Sequence, residues 1–320
     1  MSDNKGIFAG RIGVLGAGAL GAFYGAMLAR AGHDLHLLMR RDYEIVLAKG
    51  LNVKSFRGDF TVHPKVHKTA ADLGLCDLVL IGLKATDNAA LPGLLKAVCH
   101  EQTLVLTLQN GLGNEEAVVS ALGGGDAVST RVLGGIAFLC SNRSPDGTIH
   151  HTDHGWIRLA EFSGPAIERT HAIAELFRTS GVECHVYDSL SQARWEKLVW
   201  NIPFNGLGVA AKANVAEILS DPHLRQIAEN LMTEVVLAAA GSGGKLDPKL
   251  PAKMMQNSAT MGPYRTSMQI DYEEGRPLEV EAILGEPLRK AAAAGIEAPH
   301  LAMLYALVRR ANSISMPREV

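Results

Sequence analysis

The stretch VLGAGALG, residues 14–21, constrains this chain more than any other. It places Gly16, Gly18 and Gly21 in G-x-G-x-x-G spacing, between a strand-like run at Arg11–Leu15 and a helical pattern at Ala19–Ala31 that Gly32 stops. The first glycine makes a tight turn, the second lets backbone approach a pyrophosphate, and the third lets helix pack on strand. The helix start then offers free N–H groups to phosphate charge. Gly16, Ala17, Gly18, Ala19, Leu20 and Gly21 are therefore a candidate dinucleotide loop. The bland alternative is a glycine-rich packing turn.

The surrounding texture supports the first reading. Asp34–Met39 is a second strand, followed by a helical Asp42–Lys49; LNVKSF and DFTVHP flank Arg57-Gly58 as a hairpin. DLVLIGL (Asp77–Leu83) and TLVLTL (Thr103–Leu108) are almost wholly apolar, as strands covered on both faces should be. Strands alternating with helices imply a parallel sheet wound on both sides. After Ala127, three further runs (DAVSTRVLGGIAFLC, GTIHHT and WIRLAEF) read as consecutive antiparallel strands. Pro165 opens a helix to about Thr179, and VECHVYD is a last strand. Beyond Ser189 the signals are helical: Ser189–Trp200, Val215–Leu219, Leu224–Ala240, Pro248–Ser258, Leu278–Ala294 and Leu301–Ile314. The expectation is an α/β chain with an N-terminal Rossmann-type doubly wound domain (1–188) and an all-helical C-terminal domain (189–320). A chain of 320 residues that is 47% hydrophobic can bury a core in each.

Net charge is −2, with no basic run, which argues against a nucleic-acid partner. No apolar run reaches the length of a membrane span, and MSDNKGIFAG lacks a signal-peptide core. Cys76, Cys99, Cys140 and Cys184 lie far apart without ligand spacing and read as buried thiols in a reducing compartment. These points lead to a cytoplasmic enzyme. HHTDH (His150, His151, Asp153, His154) has some look of a metal site, but its spacing suits a hairpin tip better, and no metal is expected. The Ala- and Leu-rich helices of the second half suit a homodimer face or a core equally, so both stay open.

The end of the second strand bears on the cofactor. An NAD site usually carries Asp or Glu there to accept from ribose hydroxyls. Here the chain reads Met39-Arg40-Arg41, with no acid before Asp42. A guanidinium suits a 2′-phosphate, so NADPH/NADP+ is expected, against the alternative of a solvated arginine pair. Lys84 and Asn110 each follow a strand end, on the edge where open α/β sheets bind ligands.

In RWEKLVWNIPFNGLG (194–208), Lys197, Asn201 and Asn205 recur at steps of four, so one helical stripe would carry three polar heads between Trp195 and Trp200. Buried amines and amides need partners, within the stripe or from a ligand. RTSMQIDYEEGRPLEVEAILG (265–285) adds Ser267, Asp271 and Glu279; Glu279 reads either as an acidic helix start or as a carboxylate aimed at Lys197.

Taken in order, GAGALG, LLMR, LKATDN, QNGLG, RWEKLVWNIPFN and SMQIDYEEGRPLEVEAILG resemble the ketopantoate reductase (2-dehydropantoate 2-reductase) family over essentially the whole chain. The resemblance implies a Rossmann domain joined to a helical domain, with the active site in the cleft between them. It also implies reduction of 2-dehydropantoate with NADPH, on the route to pantothenate and coenzyme A. By position, Lys197 matches the general-acid lysine, and Asn201 and Asn205 the asparagines that meet the substrate. Ser267 matches the serine at the substrate carboxylate, and Glu279 the glutamate near the lysine. Arg40 matches the arginine at the 2′-phosphate; Lys84 and Asn110 match polar residues near the nicotinamide. The chain departs from the pattern at Pro203, expected to break or kink the helix between the asparagines, at Tyr264 and at Leu278. A reductase of another small branched 2-oxo acid and an NADP-sensing binding protein are the rival readings.

Overall fold

The computed structural model describes residues Gly10–Ser315; the segment read as lacking a signal-peptide core lies, except for Gly10, outside the described residues. The chain divides into two compact units. One runs through Gln109 and resumes over Asn114–Leu190; the other joins Asn110–Gly113 to the chain from Ser191 onward.

The first unit is a Rossmann-type α/β body. Its strands are β1 (Ile12–Leu15), β2 (Leu35–Leu38), β3 (Leu51–Ser55), β4 (Phe60–Val62), β5 (Lys65–His67), β6 (Cys76–Ile81), β7 (Cys99–Thr107), β8 (Val132–Arg143), β9 (Ile149–Glu161) and β10 (Cys184–Val186). Among the described residues they form one sheet in the order β4-β3-β9-β8-β7-β6-β1-β2-β5, with β10 paired to β9. From β8 to β5 the pairings are parallel, while β8–β9 and β3–β4 are antiparallel. Side chains alternate across the central strands, as a period of two requires. Val14, Leu78, Leu80 and Leu106 pack with the helix α1 (Ala19–Arg30) and with the helix Glu168–Thr179. Leu15, Val79, Ile81 and Val105 pack on the other face against the helices Leu91–Val98 and Asn114–Ala121. Both faces are covered there, so β1, most of β6 and the second half of β7 are almost wholly apolar.

Several local expectations need correction. GTIHHT and WIRLAEF are one long strand, β9, because β8 continues to Arg143 and pairs with it across two register shifts. DAVS begins as a short helical turn, Asp126–Ser129. HHTDH is not a hairpin tip: it lies inside β9, with His154 at φ 62 beside the irregular pairing. β5 was not anticipated; three residues are too few to show alternation. Cys76 and Cys184 are buried, but Cys99 and Cys140 are only half-buried.

The second unit is helical. Its principal helices are Leu190–Ala210, Val215–Ser220, Pro222–Gly241, Leu250–Ser258, Ser267–Glu273, Glu286–Ala293 and Pro299–Ser315, with a π turn at Glu281–Gly285. Pro203 does not break the first of these, which runs through to Ala210. A proline there removes one backbone bond and crowds the preceding turn. Ile202, Phe204, Leu207 and Val209 are buried around it, so core packing holds the helix together. Asn201 and Asn205 therefore remain on one stripe. The helix Ser267–Glu273 was also not foreseen; it is held at its start by Thr266, whose hydroxyl accepts from Gln269 N. No helix among the described residues is long and apolar enough to cross a membrane.

Candidate active site

In the first unit the three loop glycines have distinct physical reasons. Gly16 sits at φ 91, and a Cβ there would stand 2.3 Å from the Leu83 backbone nitrogen, so the turn admits no side chain. A Cβ on Gly21 would meet the Gly16 carbonyl oxygen at 2.3 Å, which is the close helix–strand approach. A Cβ on Gly18 would meet nothing within 4 Å. That open side is where a phosphate can approach backbone. Gly18 is the N-cap of α1, no side chain caps that helix, and its first turn holds no acid. Ala19, Leu20 and Gly21 therefore begin a helix whose positive end is left for an anion. The residues fit a pyrophosphate.

Arg40 and Arg41 follow β2 and are exposed. Asp42 comes next at φ 55 and precedes α2 (Tyr43–Lys49) without capping it by its side chain. Its carboxylate is engaged elsewhere: Arg143 Nη2 lies 2.9 Å from Asp42 Oδ2. Arg143 Nη1 donates to the carbonyl of Ala17 in the glycine loop. Burial lowers the Arg143 pKa from its ordinary value, and Asp42 opposes that shift. Sequence reasoning missed Arg143, since an arginine at the end of a strand carries no spacing rule.

Lys84 follows β6, half-buried, just before the 3₁₀ turn Ala85–Ala90. Beside it runs a chain of amides that sequence reasoning also missed. Thr107 Oγ1 donates to Gln109 Oε1 (2.9 Å), Gln109 Nε2 to Asn88 Oδ1 (2.7 Å), and Asn88 Nδ2 to Asn114 Oδ1 (3.0 Å). It ties together the chain ends that leave β6 and β7.

Within the second unit, Lys197 Nζ donates to Asn110 Oδ1 at 2.7 Å, joining residues 87 apart in sequence. The loop that carries Asn110 is fixed by backbone. Leu112 N donates to the Ala282 carbonyl at 2.9 Å, and Gly111, at φ 87, leaves no room for a Cβ, which would fall 2.2 Å from the same oxygen. Ala282 lies in the π turn, whose neighbour Glu279 is buried and accepts through its backbone carbonyl from Ile283 N at 3.1 Å.

The two asparagines of the stripe differ. Asn205 is 2% exposed, and its Oδ1 accepts from Met268 N at 3.1 Å, fixing the start of the helix Ser267–Glu273. Ser267 itself is exposed in that first turn. Asn201 is 6% exposed and makes no side-chain hydrogen bond to another described residue. Trp195 is buried in the core, and Trp200 Nε1 donates to Ser258 Oγ at 2.9 Å, so both tryptophans are structural walls of the stripe.

Two family models cover most of the chain: "Ketopantoate reductase PanE/ApbA" matches residues 12–164, and "Ketopantoate reductase PanE/ApbA C terminal" matches residues 189–312. The chain belongs to the ketopantoate reductase family of oxidoreductases. A 2-dehydropantoate 2-reductase of Nostoc sp. is 43% identical over 299 residues, covering 91% of this chain and 92% of that one. The crystal structure of 2-dehydropantoate 2-reductase from Geobacter metallireducens superposes with a TM-score of 0.90 at 45% identity, over 94% of this chain and 99% of that chain. The fold extends further: D-mandelate dehydrogenase, in a ternary structure with NADH and anilino(oxo)acetate, reaches a TM-score of 0.85 at 21% identity, over 95% and 99% of the two chains. In this ketopantoate reductase family member the glycine loop, Arg40 and Lys84 lie in the α/β unit, while Asn110, Lys197, Asn201, Asn205, Ser267 and Glu279 lie in the helical one.

Proposed function

We propose that this protein reduces 2-dehydropantoate to pantoate with NADPH. The segment 1–188 binds the cofactor, and 189–320, with Asn110, binds the substrate and supplies the acid. The observation that carries the reading is the pairing of Lys197 Nζ with Asn110 Oδ1, one turn from a buried Asn201 whose amide has no other described partner. An amine so held, next to an amide awaiting a hydrogen bond, suits a polar ligand with a carbonyl oxygen.

NADPH, when bound, supplies the hydride that adds to C2 of the 2-oxo acid and leaves as NADP+. The backbone of Gly16–Gly21 holds the pyrophosphate at the start of α1, and Arg40 pairs with the 2′-phosphate. Lys84 stands at the nicotinamide end. Lys197 donates a proton from Nζ to the former carbonyl oxygen as charge develops on it. Asn110 fixes where that ammonium points, and Glu279 stands as the buried carboxylate of the acid's surroundings. Asn201 and Ser267 hydrogen-bond the substrate, and Asn205 keeps the Ser267 turn in place.

Loss of NADPH absorbance on adding 2-dehydropantoate tests this, with 2-oxoisovalerate as competitor. The expected outcome is a much higher kcat/KM for 2-dehydropantoate. A higher value for 2-oxoisovalerate moves the assignment to another branched 2-oxo acid, and no turnover of either favours a binding protein.

A further inference from the structure

The loop after β2 holds one carboxylate among its arginines, and the fold does not leave it free to face a cofactor. Asp42 begins α2 from a left-handed conformation and does not cap it with its side chain. The carboxylate lies instead beside Arg143, which arrives from the far end of β8. The same guanidinium holds the Ala17 carbonyl, so Asp42 stands within one arginine head of the glycine loop. The hairpin after β8 closes over this pair: a Cβ on Gly147 would approach the Asp42 Cβ at 3.3 Å. Both side chains are largely covered, at 16% and 18% exposure. Nε and Nη2 of Arg143 are fully enclosed; Nη2 meets Asp42 as an ion pair without hydrogen-bond alignment, and Nε has no hydrogen-bond partner among the described residues. An enclosed edge is poorly placed to touch a ligand directly. Its charge, however, acts on the carboxylate next to it.

A carboxylate near the ribose end of a Rossmann loop has opposite effects on the two nicotinamide cofactors. It accepts from the ribose hydroxyls of NADH and repels the 2′-phosphate of NADPH. We propose that Arg143 is a specificity-determining residue that neutralises Asp42 and so keeps the site selective for NADPH. It is a positioning residue, because it acts through Asp42. The inference rests on the cofactor reading above, in which Arg40 meets the 2′-phosphate.

The test is a titration of nicotinamide fluorescence with NADPH and with NADH, without substrate. The proteins are wild type, Arg143→Gln, Arg143→Lys, Asp42→Asn and the double variant Arg143→Gln/Asp42→Asn. The quantity read is the ratio of the NADH Kd to the NADPH Kd. A loosened glycine loop weakens both cofactors alike and leaves that ratio unmoved. Arg143→Gln should lower the ratio roughly 10–100-fold, the range expected for one uncovered charge at partly screened distance. The double variant should recover most of it, Arg143→Lys should keep most of it, and Asp42→Asn alone should hold or raise it. An unchanged ratio in Arg143→Gln, or no recovery in the double variant, overturns the inference. If Arg143→Gln does not fold, a fall in the ratio for Asp42→Asn overturns it equally, and a ratio held or raised supports it. A wild-type ratio near one would instead sink the NADPH reading, while a further drop in Arg143→Gln would still support the role of the pair.

Discussion

The glycine loop and the lysine stripe, as proposed, each hold a polar ligand against a packed body, by different means. The loop uses backbone. Its glycines fall within six residues; Gly16 and Gly21 are required by an approach of main chain to main chain, and Gly18 leaves an open side. The stripe uses side chains brought from Asn110, Lys197, Asn201, Asn205 and Glu279, whose positions depend on how distant segments pack. Backbone recognition tolerates any side chain that keeps the turn, while the stripe depends on single functional groups. Substitutions in the two regions should therefore fail differently: in the loop through cofactor affinity and stability, in the stripe through rate.

Lys197→Ala gives the largest expected effect. Removing the proposed acid should lower kcat by roughly 10²–10⁴-fold. NADPH affinity, measured by fluorescence titration, should stay close to wild type, because the glycine loop and Arg40, proposed to hold the cofactor, lie in the other unit. Near-wild-type kcat would make the stripe structural.

A matched pair of glycine substitutions comes next. Gly16→Ala and Gly111→Ala each force an alanine into a left-handed conformation against a backbone atom, at 2.3 Å and 2.2 Å respectively. Each should cost about 2–4 kcal/mol of stability, readable from denaturant unfolding. They should part in function. Gly16→Ala should weaken NADPH and NADH together. Gly111→Ala displaces Asn110 from Lys197, so it should lower kcat and spare the cofactor. Equal cofactor loss in both would break the comparison.

A smaller effect is expected at Arg40. One charge-assisted contact contributes about 1.5–3 kcal/mol, so Arg40→Ala should weaken NADPH by that much and leave NADH nearly unchanged. Equal binding of both cofactors by the wild type would remove the reason for the prediction.

The two regions also differ in how far they can be read without coordinates. The strand, glycine loop and helix around residues 12–30 follow from local rules: spacing, β-branched runs and a glycine stop. β6 and the second half of β7 were equally plain, since a strand covered on both faces is almost wholly apolar there, whereas the polar and partly exposed start of β7 gave no such signal. Arg143 was invisible, because its partners Ala17 and Asp42 lie about a hundred residues away and nothing in its neighbourhood marks it. Pro203 misled for the opposite reason. Local propensity argues for a break, but burial of the residues around it outweighs the lost backbone bond. Lys197, Asn201 and Asn205 were legible as a stripe, yet their division of labour depends on Met268 and Asn110, which only folding brings to them.

That division supplies the smallest and sharpest prediction. By sequence Asn201 and Asn205 are equivalent members of one stripe, and a substitution of either would be expected to act on substrate. In the fold, Asn205 accepts from Met268 N, a buried backbone donor with few alternatives, whereas Asn201 keeps its amide without a described partner. Asn205→Ala should orphan that N–H and cost about 1–2 kcal/mol of stability. Its effect on turnover should follow indirectly, through a loosened Ser267 turn. Asn201→Ala removes an amide that satisfies no described protein group, so stability should change by no more than about 0.5 kcal/mol. If Asn201 hydrogen-bonds the substrate, its loss should instead raise KM, with a drop in kcat/KM of roughly tenfold or more. Denaturant midpoints and steady-state kinetics on the two single variants separate these outcomes. The comparison fails if Asn201→Ala is the destabilised protein and Asn205→Ala the one with the larger loss in kcat/KM, since the stripe would then be anchored at Lys197's side and open to substrate beside Ser267.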